Sequence, residues 1–196
     1  MSNAIIIKNF QSGIVLRFNQ PEIRSPLSIS VIHELNRILD ESETDASIKA
    51  VIFTGTDDVF ASGADLREIA EIAADNAREF ALRGQNLMSR IAGLKQSTIA
   101  AINGYCFGGA LDLALACDKR IASPNATFSH PGTSLGIITG WSGTQRLPRL
   151  IGQANAFEMF FTARRVEAVD ALRIGLIDEI SDHPLEWAKE VMRLTV

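Results

Sequence analysis

The chain has 196 residues, 46% of them hydrophobic and 21% charged, with a net charge of −4. That length and balance suit one globular domain with a core of its own. The acidic balance argues against a nucleic acid or an anionic membrane surface as the main partner. Two cysteines, Cys106 and Cys117, and three widely spaced histidines, His33, His130 and His183, form neither a disulfide framework nor a zinc pattern. No apolar run reaches membrane-spanning length, and the start "MSNAIIIKNF" lacks the features of a signal peptide. A cytoplasmic setting is the expectation.

In chain order, "AIIIK" and "GIVLRF" read as two strands joined at a turn eased by Gly13. A helix follows over "SISVIHELNRILDE", with Val31, Ile32, Leu35, Ile38 and Leu39 on one face and Ser28 or Ser30 as its cap. "IKAVIFTG" is a buried strand, and a long helix is predicted from about Leu66 to Ile91. Asp65, with Glu68 three residues on, opens that helix like a capping box. "STIAAIN" is the next buried strand, "GALDLALACD" the next helix, and "KRIAS" and "ATFSH" are short strands. Helical pieces broken by Pro148, Gly152 and Gly175 come next, then a strand in "LIDEIS" and a helix in "PLEWAKEVMRL". Alternating buried strands and helices define an α/β class with crossover connections.

Twice, at 50–91 and 98–117, a strand enters its helix through a turn of small residues, "FASGAD" and "GYCFGGALD". The first N–H groups of a helix lack partners within it, and the helix dipole adds positive charge there. Small residues let a ligand approach those groups, and two such turns brought together offer two donors to one oxygen. Asp112, in the first turn of the second helix, is placed to act as acid or base on the same ligand. Spacing alone also fits plain tight turns and an acid that complements a dipole. Neither a dinucleotide fingerprint nor a P-loop is present.

Several segments, in order, resemble the crotonase superfamily, also called the enoyl-CoA hydratase/isomerase family. They are "PEIRSPLS" (21–28), "FASGADL" (60–66), "AAINGYCFGGALDLALACDKRIAS" (100–123) and the stretch from "GTQRLPRLIG" through "GLIDEI" (143–180). The resemblance implies an α/β spiral of ββα units over residues 1–182. Residues 183–196 would then be the start of a C-terminal helical region that is mostly absent. It implies an acyl-CoA thioester as substrate, bound without metal or redox cofactor. Its carbonyl would sit between the N–H groups of Ala64 and Gly109, with Asp112 as the catalytic carboxylate. Arg24, Ser25 and Leu27, with Ser62 and Gly63, would line the coenzyme A. Asp65, Leu66, Gly108, Gly132 and Trp141 would flank the ligand. A homotrimer or dimer of trimers is also implied.

The sequence departs from the family pattern where hydratases carry a second glutamate, which is Gly132 here. A further acid used by some members falls on Gly140. A single carboxylate still suffices to move a proton between two carbons. His130, Thr133, Thr139, Ser142 or a water could assist it. Two other readings stay open. One is a binding protein that retains the fold without turnover. The other is a serine hydrolase using Ser134 of "GTSLG", followed by Asp178 and His183. Trp187 and Cys106 read as packing residues, and Arg164 and Arg165 as solvated charges.

Overall fold

A computed structural model describes residues 4–195. The chain opens with an antiparallel hairpin, β1 (Ile5–Phe10) and β2 (Gly13–Phe18). A short strand β3 (Pro26–Leu27) leads into helix α1 (Ile29–Thr44). Three strand–strand–helix units follow. The first holds β4 (Ala50–Thr54), β5 (Val59–Ala61), the short β6 (Gly63–Ala64), α2 (Leu66–Ala70) and α3 (Ala77–Ala92). The second is β7 (Ser97–Ile102), β8 (Tyr105–Phe107) and α4 (Gly109–Ala116). The third is β9 (Lys119–Ala122), β10 (Thr127–Ser129) and α5 (Gly143–Ile151). Then come α6 (Gln153–Thr162), β11 (Val166–Glu167), α7 (Ala168–Arg173), β12 (Glu179–Ile180) and α8 (Pro184–Thr195).

The first strand of each unit joins a six-stranded sheet ordered β1-β2-β4-β7-β9-β12, and the second strands form a smaller sheet ordered β11-β10-β8-β5. The unit strands pair in parallel in both sheets, as crossover connections require. This is the expected spiral of ββα turns. Alternation within the large sheet explains why its strands look apolar throughout. Val51, Phe53, Ala100 and Ile102 face the core shared with α1, α3 and α4. Ala50, Ile52, Ile99 and Ala101 face the opposite side, where Ala188 and Met192 of α8 cover them.

Helix α1 buries the five apolar residues its periodicity predicts and is capped by the Ser28 hydroxyl, which accepts from the Val31 N–H. Three features differ from the sequence expectation. The predicted long helix is broken, because i→i−3 bonds from Glu71 to Glu68 and from Ile72 to Ile69 tighten and end α2, and α3 restarts at Ala77. Asp65 caps α2 as expected, accepting from the Arg67 N–H at 2.9 Å. Glu68, however, does not close a capping box. Its carboxylate accepts from the Ile29 N–H, at 2.9 Å through one oxygen, and so caps α1 across the fold. Glu68→Ala is therefore expected to lower stability by about 1 kcal/mol, read as an earlier urea midpoint with unchanged slope. Pro148 does not break its helix. It sits inside α5, giving up one ladder bond while Leu147 and Ile151 keep the helix seated on the core.

Candidate active site

Strands β5 and β8 lie side by side in the small sheet, with Ala61 opposite Cys106. The chain leaving each strand therefore emerges next to the other, and the two small-residue turns meet. A Cβ on Gly63 would lie 2.6 Å from the Gly109 nitrogen, and one on Gly109 would lie 3.4 Å from the Ala64 nitrogen. Gly63 also holds a φ of +90°, a conformation open to glycine. Gly109 begins α4, so its N–H has no acceptor within the helix. The Asn103 side chain pins the approach. Its Oδ1 accepts from the Gly55 N–H at 2.8 Å, and its Nδ2 donates to the carbonyls of Asp57 (2.8 Å) and Val59 (3.1 Å).

Ala64, Gly108 and Gly109 open onto a cavity of about 430 Å³. Its walls are largely apolar, with Leu66, Ile69 and Ile72 around α2, Ala77, Phe80 and Ala81 from α3, and Leu135, Ile137 and Ile138 from the segment before α5. The break between α2 and α3 turns these helices into one wall. Trp141 borders the cavity and is wedged between two glycines. A Cβ on Gly84 would meet its ring at 2.1 Å, and one on Gly109 at 2.4 Å. The ring also packs on Phe80, with centroids 5.5 Å apart. Ser62, His130 and Thr139 are the polar side chains on the wall.

Asp112 is 0% exposed and stands behind that wall rather than on it. The Thr139 hydroxyl donates to its Oδ2. Its Oδ1 finds no hydrogen-bond partner among the described residues and faces His130 Nε2 at 3.5 Å, too long for a bond. Both ring nitrogens of His130 are likewise unpartnered among those residues. Burial pushes the Asp112 carboxyl up to about 7. The Thr139 hydroxyl, the backbone N–H groups of Gly143 and Trp141, and the Arg146 charge offset only part of that. Burial lowers His130 to about 4, so its ring is neutral where Asp112 titrates, and the two do not form an ion pair.

The other expected ligand residues divide. Ser62, Leu66, Gly108, Gly132 and Trp141 line the cavity with Ala64 and Gly109. Gly63, Ser25, Leu27 and Asp65 do not line it. Leu27 is buried in the core on β3, whose register sets it beside Ala64. Ser25 is buried, with its hydroxyl accepting from the Gln20 N–H, and the Asp65 carboxylate is taken up by Arg67. Arg24 lies outside the cavity, its guanidinium 6.0 Å from the Tyr105 ring centre, and the guanidinium of Arg165 lies 5.7 Å from the same centre. A Cβ on Gly132 would meet the Ile137 carbonyl at 2.8 Å, so the backbone closes over that position, whereas Gly140 has room. Among the described residues no group of three or more histidines, cysteines or carboxylates could hold a metal ion.

In the sequence His130 and Thr139 read only as possible assistants, and nothing there signals the wall built by Ile69, Ile72, Phe80 and Ala81. That wall depends on the break between α2 and α3, which periodicity does not show. Ser134 lies exposed inside a 3₁₀ turn (Pro131–Leu135), five residues past the end of β10 and nine before the start of α5, so it does not sit at the strand-to-helix junction an elbow needs. Asp178 is committed to Arg120. Cys106 is buried, and burial raises its thiol well above the usual range, which suits a packing residue.

Two sheets of mostly parallel strands in a ββα spiral, with paired glycine turns opening on an apolar cavity, define a crotonase-type fold. The sequence model of the enoyl-CoA hydratase/isomerase family matches residues 9–193, and the chain belongs to that family. It is 36% identical over 192 residues to the short-chain-enoyl-CoA hydratase of Clostridium acetobutylicum, covering 96% of this chain and 74% of that one. It is 36% identical over 191 residues to the crotonyl-CoA hydratase of Syntrophomonas wolfei, covering 97% and 73%. The structure of an enoyl-CoA hydratase from Bacillus anthracis superposes with a TM-score of 0.90 at 34% identity, over 98% of this chain and 75% of that one. The chain thus spans about three-quarters of the length of these relatives. No helix among the described residues is long and apolar enough to cross a membrane.

Proposed function

We propose that the protein acts on acyl-CoA thioesters, holding the thioester carbonyl between the N–H groups of Ala64 and Gly109 and moving a proton on the resulting enolate with Asp112. The reaction this favours is double-bond isomerisation of a 3-enoyl-CoA to the 2-enoyl-CoA. The observation that carries the reading is that two backbone turns meet on an apolar cavity whose wall residue Thr139 is bonded to a buried carboxylate. An enolate oxygen gains most from donors already in place, at roughly 3 kcal/mol for each in the transition state. A carboxyl held near 7 is about half ionised at neutral pH, so it can both take a proton and return it. Among the described residues no carboxylate lines the cavity, so the second acid of ordinary hydration has no counterpart. A shift of one proton between two carbons needs only one such group. Backbone donors supply the polarisation a Lewis acid would give, so the reaction as proposed calls for no metal or redox cofactor.

The coenzyme A portion is proposed to leave past Ser62 toward Arg24 and Arg165, whose guanidinium groups both approach the Tyr105 ring and suit phosphate. A homotrimer or dimer of trimers belongs to the same proposal and is read by light scattering. Hydration is a second reading, favoured by the names of the two relatives above. The test is incubation with crotonyl-CoA and, separately, with 3-hexenoyl-CoA, the products being separated by liquid chromatography and identified by mass. Conversion of the 3-enoyl substrate, with crotonyl-CoA left unhydrated, is expected. Hydrated crotonyl-CoA would replace the isomerase reading with the hydratase one. Bound but unchanged thioesters would overturn catalysis altogether.

A further inference from the structure

We propose that the Thr139 hydroxyl, rather than the Asp112 carboxylate, touches the reacting carbon and relays the proton between substrate and Asp112. This rests on the enolate reading above. Asp112 is fully buried and absent from the cavity wall, while Thr139 is on the wall and bonded to it. A carboxylate that never meets the ligand can still exchange protons with it through a hydroxyl, because a hydroxyl donates and accepts at once.

The geometry around Thr139 is built to hold this arrangement. The start of α5 clamps the pair, since a Cβ on Gly143 would lie 2.1 Å from Asp112 Oδ1 and 2.8 Å from Thr139 Cγ2. With its methyl group against Gly143, the stiff χ1 of threonine leaves Oγ1 directed to Asp112. Gln85 of α3 holds the neighbouring Gly140 carbonyl at 2.8 Å, fixing the segment from the other side. His130, the other side chain of the cavity wall near Asp112, stands 3.5 Å from Oδ1 without a bond, and burial makes its ring a poor base.

The step balances as follows. The substrate α-carbon–hydrogen bond breaks, and its electron pair passes into the thioester to form the conjugated enolate. The proton goes to Thr139 Oγ1 as the proton already there passes to Asp112 Oδ2, which becomes neutral. The return runs in reverse at the γ-carbon, restoring the carboxylate and leaving the double bond moved by one position.

Turnover of 3-hexenoyl-CoA by Thr139→Val and Thr139→Ser tests this, alongside wild type and Asp112→Asn. Thr139→Val keeps the shape and removes the hydroxyl. It is expected to lower kcat by roughly a hundredfold or more with KM within about threefold. Thr139→Ser keeps the hydroxyl and is expected to stay within about tenfold of wild type. If Thr139→Val folds poorly, Thr139→Ala carries the same expectation without added bulk. A valine variant with wild-type kcat while Asp112→Asn is inactive would overturn the relay and leave the enolate reading standing. So would equal losses in the valine and serine variants, since that pattern marks a packing role. A wild-type protein that does not isomerise the substrate would instead overturn the reading on which the relay rests.

Discussion

Asp112→Asn is expected to lower turnover of a 3-enoyl-CoA by roughly a thousandfold while leaving the protein more resistant to heat above pH 7. Both effects come from one fact, the burial of an ionisable group that the site cannot fully compensate. In the unfolded chain an aspartate titrates near its ordinary value of 3.8, but in the fold burial raises it to about 7. Between those values the folded state binds the proton that the unfolded state has released. Stability is therefore fully present below about pH 4 and is lost as pH rises through 7.

The shift of about three pH units corresponds to an upper bound on the order of 4 kcal/mol. An amide cannot ionise and escapes this loss, although its NH₂ suits the nearby N–H donors less well than a carboxylate oxygen does. A rise of several degrees in melting temperature at pH 8, vanishing at pH 4, is the expected net result. The charged and titratable groups around it do not reverse the sign. Arg146 lowers Asp112 only in part, His130 is neutral across this range, and the buried Cys106 thiol stays protonated. Scanning calorimetry at the two pH values measures the effect, and equal melting shifts at both would remove the near-neutral carboxyl. Such a gain in stability with loss of turnover is what a strained functional group predicts.

Gly63→Ala is expected to disable the same site from the backbone. At a φ of +90° the new Cβ is strained, and it would lie 2.6 Å from the Gly109 nitrogen and 2.7 Å from the Phe107 carbonyl. Those atoms belong to the end of β8 and the start of α4, which cannot yield without separating the two turns. The expected cost is about 3 kcal/mol of stability with a loss of turnover of a hundredfold or more. Gly175→Ala separates strain from collision. It shares a positive φ of +78° but has nothing within 4 Å of its Cβ, so it is expected to cost only about 1 kcal/mol. Urea unfolding of both variants, with the turnover assay, reads the difference. Equal losses of stability in the two would show that the close approach of the turns carries no constraint.

Much of the scaffold follows from local pattern. The strands β4 and β7 are continuous apolar runs because both faces of their sheet are covered, and that shows without any knowledge of partners. The α1 helix carries its own cap and its own apolar face within a few residues, so periodicity alone places it. The glycine turns and the acid at Asp112 were legible for the same reason. Each is a short-range signal in which residue type answers to backbone geometry close by.

What the site does with those residues depends on contacts between distant positions. The strands β5, β6 and β8 are two or three residues long and owe their existence to pairing across tens of residues, so they read as turns in isolation. The break between α2 and α3, the closing of the backbone over Gly132 and the wedging of Trp141 between Gly84 and Gly109 are packing outcomes of the same kind. The largest difference lies at Asp112. The sequence by itself determined that a carboxylate stands in the first turn of α4. Only the tertiary structure decided that it is buried behind Thr139 and raised toward neutrality, because burial is a property of everything that surrounds a residue and not of the residue itself.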